Sequence, residues 1–278
     1  MPQAATRPGN VRSSRLSSRR YTGEHLIVCT VIAAVGLSAQ WPVLLATVRD
    51  ESVERRWQPP AAHWPEHHPQ LIGGLDMQSG GTWLALNTLQ HRASFLVNRV
   101  ERAAGETRSR GDLPLLALQE PERHMNANCL RPYNGFILGL ADVNGLVLHQ
   151  WDTQSLHSVR LDKGLHGLCY RGIGEDHPRL ARHLPRFATS SLPQPITTAC
   201  SAQAWGQWLQ LLADNGQYSS DADALMWRRN VEGDLWASQS ATCLALGVGQ
   251  SRLDFSATPL DPTSWSKLPL PYPLEREC

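Results

Sequence analysis

Apolar runs with the spacing of β-strands recur along most of the chain. The runs at 26–34 and 43–48 are apolar at nearly every position. This pattern is typical of strands whose two faces are both covered, so we predict two consecutive strands of a buried sheet. Three further pairs of apolar runs, each pair joined by a short polar segment, predict hairpins. These pairs are 82–87 with 93–98, 137–141 with 146–150, and 235–247 with 252–256.

Segments with helical patterns separate these runs. We predict helices at 112–126, 176–187 and 202–214. Asp112 lies near the N-terminus of the first helix, where a carboxylate complements the helix dipole, and Pro121 is expected to shorten or bend it. No internal repeat or long linker interrupts the series, which favours one continuous domain of mixed α and β structure.

The loops contain two features that bear on function. The polar, proline-rich segment 52–70 predicts a loop, and the spacing of its three histidines (63, 67 and 68) fixes no ligand geometry, so we predict no metal site. The Gly-Gly pairs at 73–74 and 80–81 predict tight turns or close approaches of the backbone. The proline-rich segment 259–273 is predicted to be irregular.

Composition narrows the classes of function. The formal net charge of +1 offers no basic surface for nucleic acid, and no nucleic-acid partner is expected. The six cysteines are scattered without a Cys-x-x-Cys pair, which argues against a closed zinc site and against a disulfide scaffold. We therefore predict reduced thiols and a cytoplasmic location.

The first 28 residues allow three interpretations. Ser18-Arg19-Arg20 followed by an uncharged run resembles an export signal that spans residues 1–39, and the same run is long enough for a membrane anchor. Its centre, from Gly36 to Pro42, breaks the apolar stretch, so stable membrane insertion is not expected. The third interpretation is that translation starts at Val28, which leaves Cys29 next to the initiator. We treat 1–28 as a disordered or mis-assigned extension, with export as the alternative.

Four short motifs carry a resemblance to a known family. They are Cys29-Thr30, Arg49-Asp50-Glu51, Gly73-Gly74-Leu75-Asp76 and Gly80-Gly81-Thr82-Trp83-Leu84. In this order and spacing they resemble the transport and Golgi organisation protein 2 family, also called the NRDE family. The resemblance spans 29–260, with an irregular tail at 261–278. It implies a four-layer αββα sandwich like that of N-terminal-nucleophile hydrolases, an α+β fold of two mainly antiparallel sheets between helical layers.

The resemblance also implies a chemistry. In hydrolases of that fold the first residue is the nucleophile and its own α-amine, with a pKa near 8, is the base. Cys29 is then the nucleophile, Arg49 lowers the pKa of its thiol, and Asp50 orients the amine. Asn98 is expected to bind an oxyanion or the substrate, a small linear amide. A purely structural interpretation makes Arg49 and Asp50 a buried ion pair and Asn98 a strand-end cap.

Three departures from the family pattern predict a weakened site. Val48 stands where the family has Asn, Cys169-Tyr170 where it has Ser-Asn, and Gln239 where it has Arg. The changes at 48 and at 169–170 each remove an amide, and the change at 239 removes a charge. The loss of one oxyanion donor costs about 3 kcal/mol of transition-state stabilisation.

A non-catalytic function is the alternative. Relatives are associated with intracellular haem handling, and a haem carrier needs an axial Cys, His or Tyr beside an apolar pocket. The candidates are Cys29, His166, Cys169 and Tyr170, with haem as cofactor and a haem-like ligand as partner. The hydrolase interpretation needs no cofactor. A globular domain without a surviving ligand site is the third possibility.

Overall fold

The computed structural model describes residues 29–174, 177–221 and 223–270. The predictions for 1–28 and for the end of the tail, 271–278, lie outside the described residues. Strands account for most of the regular structure. In chain order they are β1 (Thr30–Val35), β2 (Val43–Ser52), β3 (Trp57–Ala61), β4 (Leu71–Asp76), β5 (Leu84–Asn87), β6 (Arg92–Asn98), β7 (Phe136–Asp142), β8 (Gly145–Trp151), β9 (Leu156–Arg160), β10 (Gly164–Cys169), β11 (Gly172–Ile173), β12 (Arg228–Val231), β13 (Asp234–Gly247), β14 (Gln250–Ser256) and β15 (Ser266–Lys267).

These strands form two antiparallel sheets. The eight-stranded sheet has the order β11-β10-β1-β2-β13-β14-β15, with β12 paired to β13. The seven-stranded sheet runs in sequence order from β3 to β9. All three predicted hairpins are present, as β5–β6, β7–β8 and β13–β14. The predicted buried strands are β1 and β2, which lie next to each other near the centre of the eight-stranded sheet.

Six helical segments occur within the described ranges: α1 (Leu113–Gln119), α2 (Pro121–His124), α3 (Ala127–Leu130), α4 (Pro178–Thr189), α5 (Ser201–Trp205) and α6 (Gln207–Ala213). Helices α4 to α6 cover the outer face of the eight-stranded sheet, where Leu180 and Trp208 pack on Ile32. Helix α1 covers the outer face of the other sheet, where Leu113 packs with Phe136. None of the helices in the described ranges has the length and apolar character needed to cross a membrane.

The two sheets pack face to face on a shared core. Alternate residues of β1 and β2 enter it, among them Val31, Ala33 and Leu45, and meet Leu86 and Phe95 of the opposite sheet. The intervening residues of the same strands face α4 to α6. The chain is therefore a four-layer αββα sandwich, which confirms the predicted fold class.

Several local predictions were wrong. The predicted loop at 52–70 contains β3, whose prolines are tolerated because β3 is an edge strand. Gly73-Gly74 lies within β4 rather than in a turn. A Cβ at Gly74 would meet the ring of Trp83 at 2.2 Å, so this pair permits a close approach. Of the four glycines in the two Gly-Gly pairs, only Gly80, with φ of +72°, occupies a turn that favours glycine. The irregular 259–273 segment includes the short strand β15.

Two of the predicted helices are broken. The segment 112–126 contains α1 and α2, separated before Pro121, and the carboxylate of Asp112 makes no capping hydrogen bond. It accepts hydrogen bonds from Tyr133 and Arg108 instead, each at 2.8 Å. The segment 202–214 is interrupted at Gly206, whose φ of +51° ends α5 and precedes α6.

Candidate active site

Cys29 lies immediately before β1, at the end of the sandwich where β2 finishes. Because Thr30 pairs with Val48, Cys29 lies beside Arg49. Side chains alternate between the faces of a strand, so Cys29 and Arg49 both lie on the face toward the seven-stranded sheet. There Cys29 packs against the core between the sheets and lines a narrow pocket with Arg49, and Trp83, Leu84 and Phe95 form the opposite wall.

The thiol of Cys29 is protonated at neutral pH in this arrangement. Burial, and less strongly the charge of the Asp50 carboxylate, raise its pKa to about 12, although the charge of Arg49 acts to lower it. The predicted influence of Arg49 is therefore present but smaller than the cost of desolvation. The Sγ atom is 3.7 Å from the backbone oxygen of Asp50, to which it donates a weak hydrogen bond.

Arg49 is buried with an incomplete set of partners. Its side chain is 5% exposed, and its guanidinium carbon is 4.4 Å from the centroid of the Trp83 ring and 5.9 Å from that of Trp57. Nη2 is 3.7 Å from the Glu51 carboxylate. Nη1 has no hydrogen-bond partner among the residues that the structure describes. Burial lowers the pKa of Arg49, because the charge lacks the hydrogen bonds that would replace water.

Asp50 lies on the opposite face of β2 and points toward α4. Its Oδ2 accepts hydrogen bonds from Arg179 Nη1 at 2.6 Å and from Trp227 Nε1 at 2.7 Å. The same Arg179 nitrogen is 3.1 Å from the hydroxyl of Thr30, so the network reaches the residue after Cys29. Within the described ranges, Asp50 Oδ1 is buried and accepts no hydrogen bond. Burial raises the pKa of this carboxyl, and the charge of Arg179 opposes the shift.

Asn98 does not join Cys29. Along β6 the side chains of Ala93, Phe95 and Val97 enter the core between the sheets. Strand alternation therefore directs Asn98 to the other face, where it is exposed at the strand end opposite Phe136. The oxyanion role predicted for Asn98 has no support in this geometry.

The three departures from the family pattern lie in different environments. Val48 faces the helices and packs in their core, so an asparagine at this position would not face the thiol. Gln239 lies at a β-bulge in β13 and reaches β2 and β3. Cys169 is buried on the helical side of β10.

His166, Cys169 and Tyr170 do not converge on one pocket. His166 pairs with Ala33, on the side of β10 that faces the other sheet, and its Nε2 is 2.8 Å from the backbone oxygen of Asp162. Cys169 packs on the helical side. The hydroxyl of Tyr170 accepts a hydrogen bond from Arg171, and its ring contacts His177. His166 therefore lies on the opposite side from Cys169 and Tyr170, which both pack in the core on the helical side.

Several residues of the site were missed from the sequence. Trp83 belongs to the motif at 80–84, which carries the family resemblance. Trp57 lies in the segment 52–70, for which the sequence predicts a loop. Arg179 and Trp227 reach Asp50 from 129 and 177 residues away along the chain, and no local pattern marks them. No group of three His, Cys, Asp or Glu side chains in the described part of the chain is arranged to hold a metal ion.

The chain was compared with protein families, with curated proteins and with solved structures. The family model described as Transport and Golgi organisation 2 matches residues 28–237. No curated protein matches the chain. Among solved structures, a cysteine-to-alanine mutant of conjugated bile acid hydrolase from Clostridium perfringens is similar, with a TM-score of 0.40 and 12% identity over 82% of this chain and 89% of that chain.

Proposed function

The chain belongs to the Transport and Golgi organisation 2 family. From this membership and from the geometry around Cys29, we propose that the protein hydrolyses a small linear amide when Cys29 is its first residue. Cys29 is the nucleophile, its α-amine is the base, and the intermediate is a thioester. The reduced thiol favours the cytoplasm as the place where this reaction occurs.

One observation carries the proposal: two buried, charged side chains next to Cys29 each have an unsatisfied atom. These atoms are Arg49 Nη1 and Asp50 Oδ1, neither of which has a hydrogen-bond partner among the described residues. Leaving such a group buried and unpaired costs about 1–3 kcal/mol or more. Two other charged side chains, Asp112 and Arg229, also have such an atom, but they lie outside β1 and β2. Arg49 and Asp50 lie beside Cys29 in the pairing of those two strands. Arg49 offers a cationic donor on one face of β2, which suits a thiolate or an oxyanion. Asp50 offers an anionic acceptor on the other face, which suits an ammonium.

The reaction follows from these charges. The α-amine of Cys29 takes the thiol proton and becomes an ammonium, which the Asp50 carboxylate stabilises. The thiolate attacks the amide carbon, and Arg49 stabilises the negative charge that develops on oxygen. The carbon–nitrogen bond then breaks as the ammonium gives its proton to the leaving amine. Water, activated by the same amine, hydrolyses the thioester and releases the acid.

A preceding peptide bond disables this site. The nitrogen of Cys29 is then an amide, which is not a base, and the pKa of about 12 keeps the thiol protonated. A free ammonium adds a positive charge beside the thiol, and a positive charge at this distance lowers a thiol pKa by about 1–3 units.

We do not extend the proposal to haem, because His166 lies on the opposite side of β10 from Cys169 and Tyr170. The site also favours a small substrate, since the pocket is narrow and has apolar walls from Leu84 and Phe95.

Two chains that differ by one residue test the proposal. One begins at Cys29 and the other at Val28, so both retain the thiol and only the first has the amine on Cys29. Each is incubated with a panel of short linear acyl amides, and intact mass and released amine are measured. We expect the chain that begins at Cys29 to gain the mass of an acyl group and to release amine, and the other to do neither. Equal amine release from both chains would contradict the role of the amine.

A further inference from the structure

Gln239 occupies a position that strand pairing alone would not give it. Ser238 pairs with Asp50 and Ser240 with Arg49, so Gln239 is the extra residue of a β-bulge in β13. A bulge redirects the side chain of the extra residue. Here it directs the amide of Gln239 toward the ends of β2 and β3, next to the site.

Both N–H donors and the carbonyl oxygen of this amide are used. Its Nε2 donates to the backbone oxygens of Glu51, at 3.2 Å, and of Ser52. Its Oε1 accepts a hydrogen bond of 2.5 Å from the indole Nε1 of Trp57. The reverse orientation of the amide would place donor against donor and acceptor against acceptor, so the network fixes the orientation.

The bond from Trp57 to Gln239 connects the two sheets. Gln239 belongs to the eight-stranded sheet and Trp57 to β3, the edge of the seven-stranded sheet. We call this contact the Trp57–Gln239 bridge. The indole ring of Trp57 makes edge contacts with the rings of Trp83 and Phe255, each with 5.9 Å between centroids. The guanidinium carbon of Arg49 lies 5.9 Å from the centroid of the same indole.

The bridge restricts the guanidinium of Arg49. Trp83 lies 4.4 Å from it, Trp57 limits it on another side, and Glu51 provides its nearest carboxylate at 3.7 Å. Because Gln239 also binds the backbone of Glu51, one side chain holds both an aromatic wall and the strand that carries Arg49.

We propose that Gln239 is a positioning residue: through the indole of Trp57 it fixes the place of the Arg49 guanidinium beside Cys29, a role that rests on the proposed chemistry of that cysteine. Glutamine suits this role because it combines two donors with an acceptor. Arginine could donate to both backbone oxygens, but it has no acceptor for the indole.

The rate of alkylation of Cys29 by iodoacetamide measures this role without any substrate. It is determined in the chain that begins at Cys29, across a pH series, as a ratio to exposed Cys129 in the same sample. Well below the pKa of a thiol the rate follows the thiolate fraction, so a displaced Arg49 slows alkylation at every such pH. We expect Gln239→Leu, which removes the acceptor without adding a charge, and Trp57→Phe each to lower the ratio roughly tenfold, equivalent to about 1 pKa unit.

A double variant and a neighbouring control define the outcomes. Gln239→Leu with Trp57→Phe should be no slower than either single variant, because all of them remove the same bond. Gln58→Ala, at the exposed neighbouring position of β3, should leave the ratio unchanged. An unchanged or increased ratio in Trp57→Phe, which retains an aromatic ring and should fold, would overturn the proposal.

This test is independent of amide hydrolysis. A tenfold decrease in the ratio with no amide cleaved would leave the bridge supported and the proposed function contradicted. If the chain that begins at Cys29 cleaves an amide but both substitutions leave its alkylation unchanged, the proposed function is supported and the positioning role of Gln239 is contradicted.

Discussion

Two pairs of buried charged residues in the eight-stranded sheet differ in how completely they are partnered. On β14, Arg252 and Asp254 form a bidentate ion pair with distances of 2.7 and 2.9 Å, both side chains fully buried. Arg252 also donates to the backbone oxygen of Ile196, and Asp254 accepts from Ser201 at 2.6 Å. On β2, Arg49 and Asp50 are adjacent and buried, yet each has an unsatisfied atom within the described ranges.

Under the proposed function, this difference separates a structural pair from a pair that takes part in the reaction. A buried ion pair whose atoms are all bonded holds strand and loop together, and its removal is costly. Adjacent residues of a strand cannot bond each other across it, because their side chains point to opposite faces. Arg49 and Asp50 therefore present their open atoms on the two sides of the strand next to Cys29, where a reacting group and an ammonium can use them.

The largest expected effect on the free energy of unfolding is at the fully bonded pair of Arg252 and Asp254. Asp254→Ala should lower the free energy of unfolding by about 3–5 kcal/mol, because it leaves the Arg252 guanidinium buried without its counter-charge. Urea unfolding followed by tryptophan fluorescence measures this. Ser201→Ala, which removes one hydrogen bond, is the matched control with a loss of about 1 kcal/mol. A loss of unfolding free energy below about 1 kcal/mol in Asp254→Ala would contradict the claim that the Arg252–Asp254 pair stabilises the fold.

An intermediate effect is expected at Asp50. Asp50→Asn retains an acceptor for Trp227 but removes the charge that faces Arg179, so it should lower the free energy of unfolding by about 2–3 kcal/mol. In the chain that begins at Cys29 it should also slow amide hydrolysis at least about a hundredfold, because the ammonium loses its partner. Urea unfolding and amine release measure the two effects. Loss of stability with unchanged hydrolysis would make Asp50 purely structural.

The smallest effect on stability is expected at Arg49. Arg49→Met removes a desolvated, incompletely bonded charge and fills similar volume, so the free energy of unfolding should change by no more than about 1 kcal/mol. The same substitution should slow alkylation of Cys29 about tenfold, since the thiolate loses its nearest cation. A loss of several kcal/mol would show that Arg49 is as structural as Arg252.

The sequence predicts most of the strands and all three hairpins. It predicts less well which face of the sheet each side chain occupies. The hairpins were predicted because their apolar runs and turns are local. Strand β3 was missed because its prolines suggested a loop, although an edge strand accepts them. The outward direction of Asn98 could have been inferred from the alternation of Ala93, Phe95 and Val97, all apolar and all directed inward.

The candidate site was only partly predictable, for a physical reason. Cys29, Arg49 and Asp50 belong to local motifs, and pairing of two consecutive strands brings them together. Their other partners are separated from them by more than a hundred residues, as with Arg179 and Asp50. The bridge from Trp57 to Gln239 spans 182 residues and depends on a β-bulge, which leaves no signature in the alternation of apolar residues.

The most direct test of the site is the pH profile of Cys29 alkylation in the chain that begins at Cys29 and in the chain that begins at Val28. With Val28 in place, the profile should rise with pH without a plateau below pH 11, because the thiol pKa is about 12. With a free amine, we predict a profile shifted to lower pH by at least about 1 unit, with a second inflection near pH 8 from the amine. Coincident profiles would contradict the account, because they would show that the thiol does not respond to its own amine.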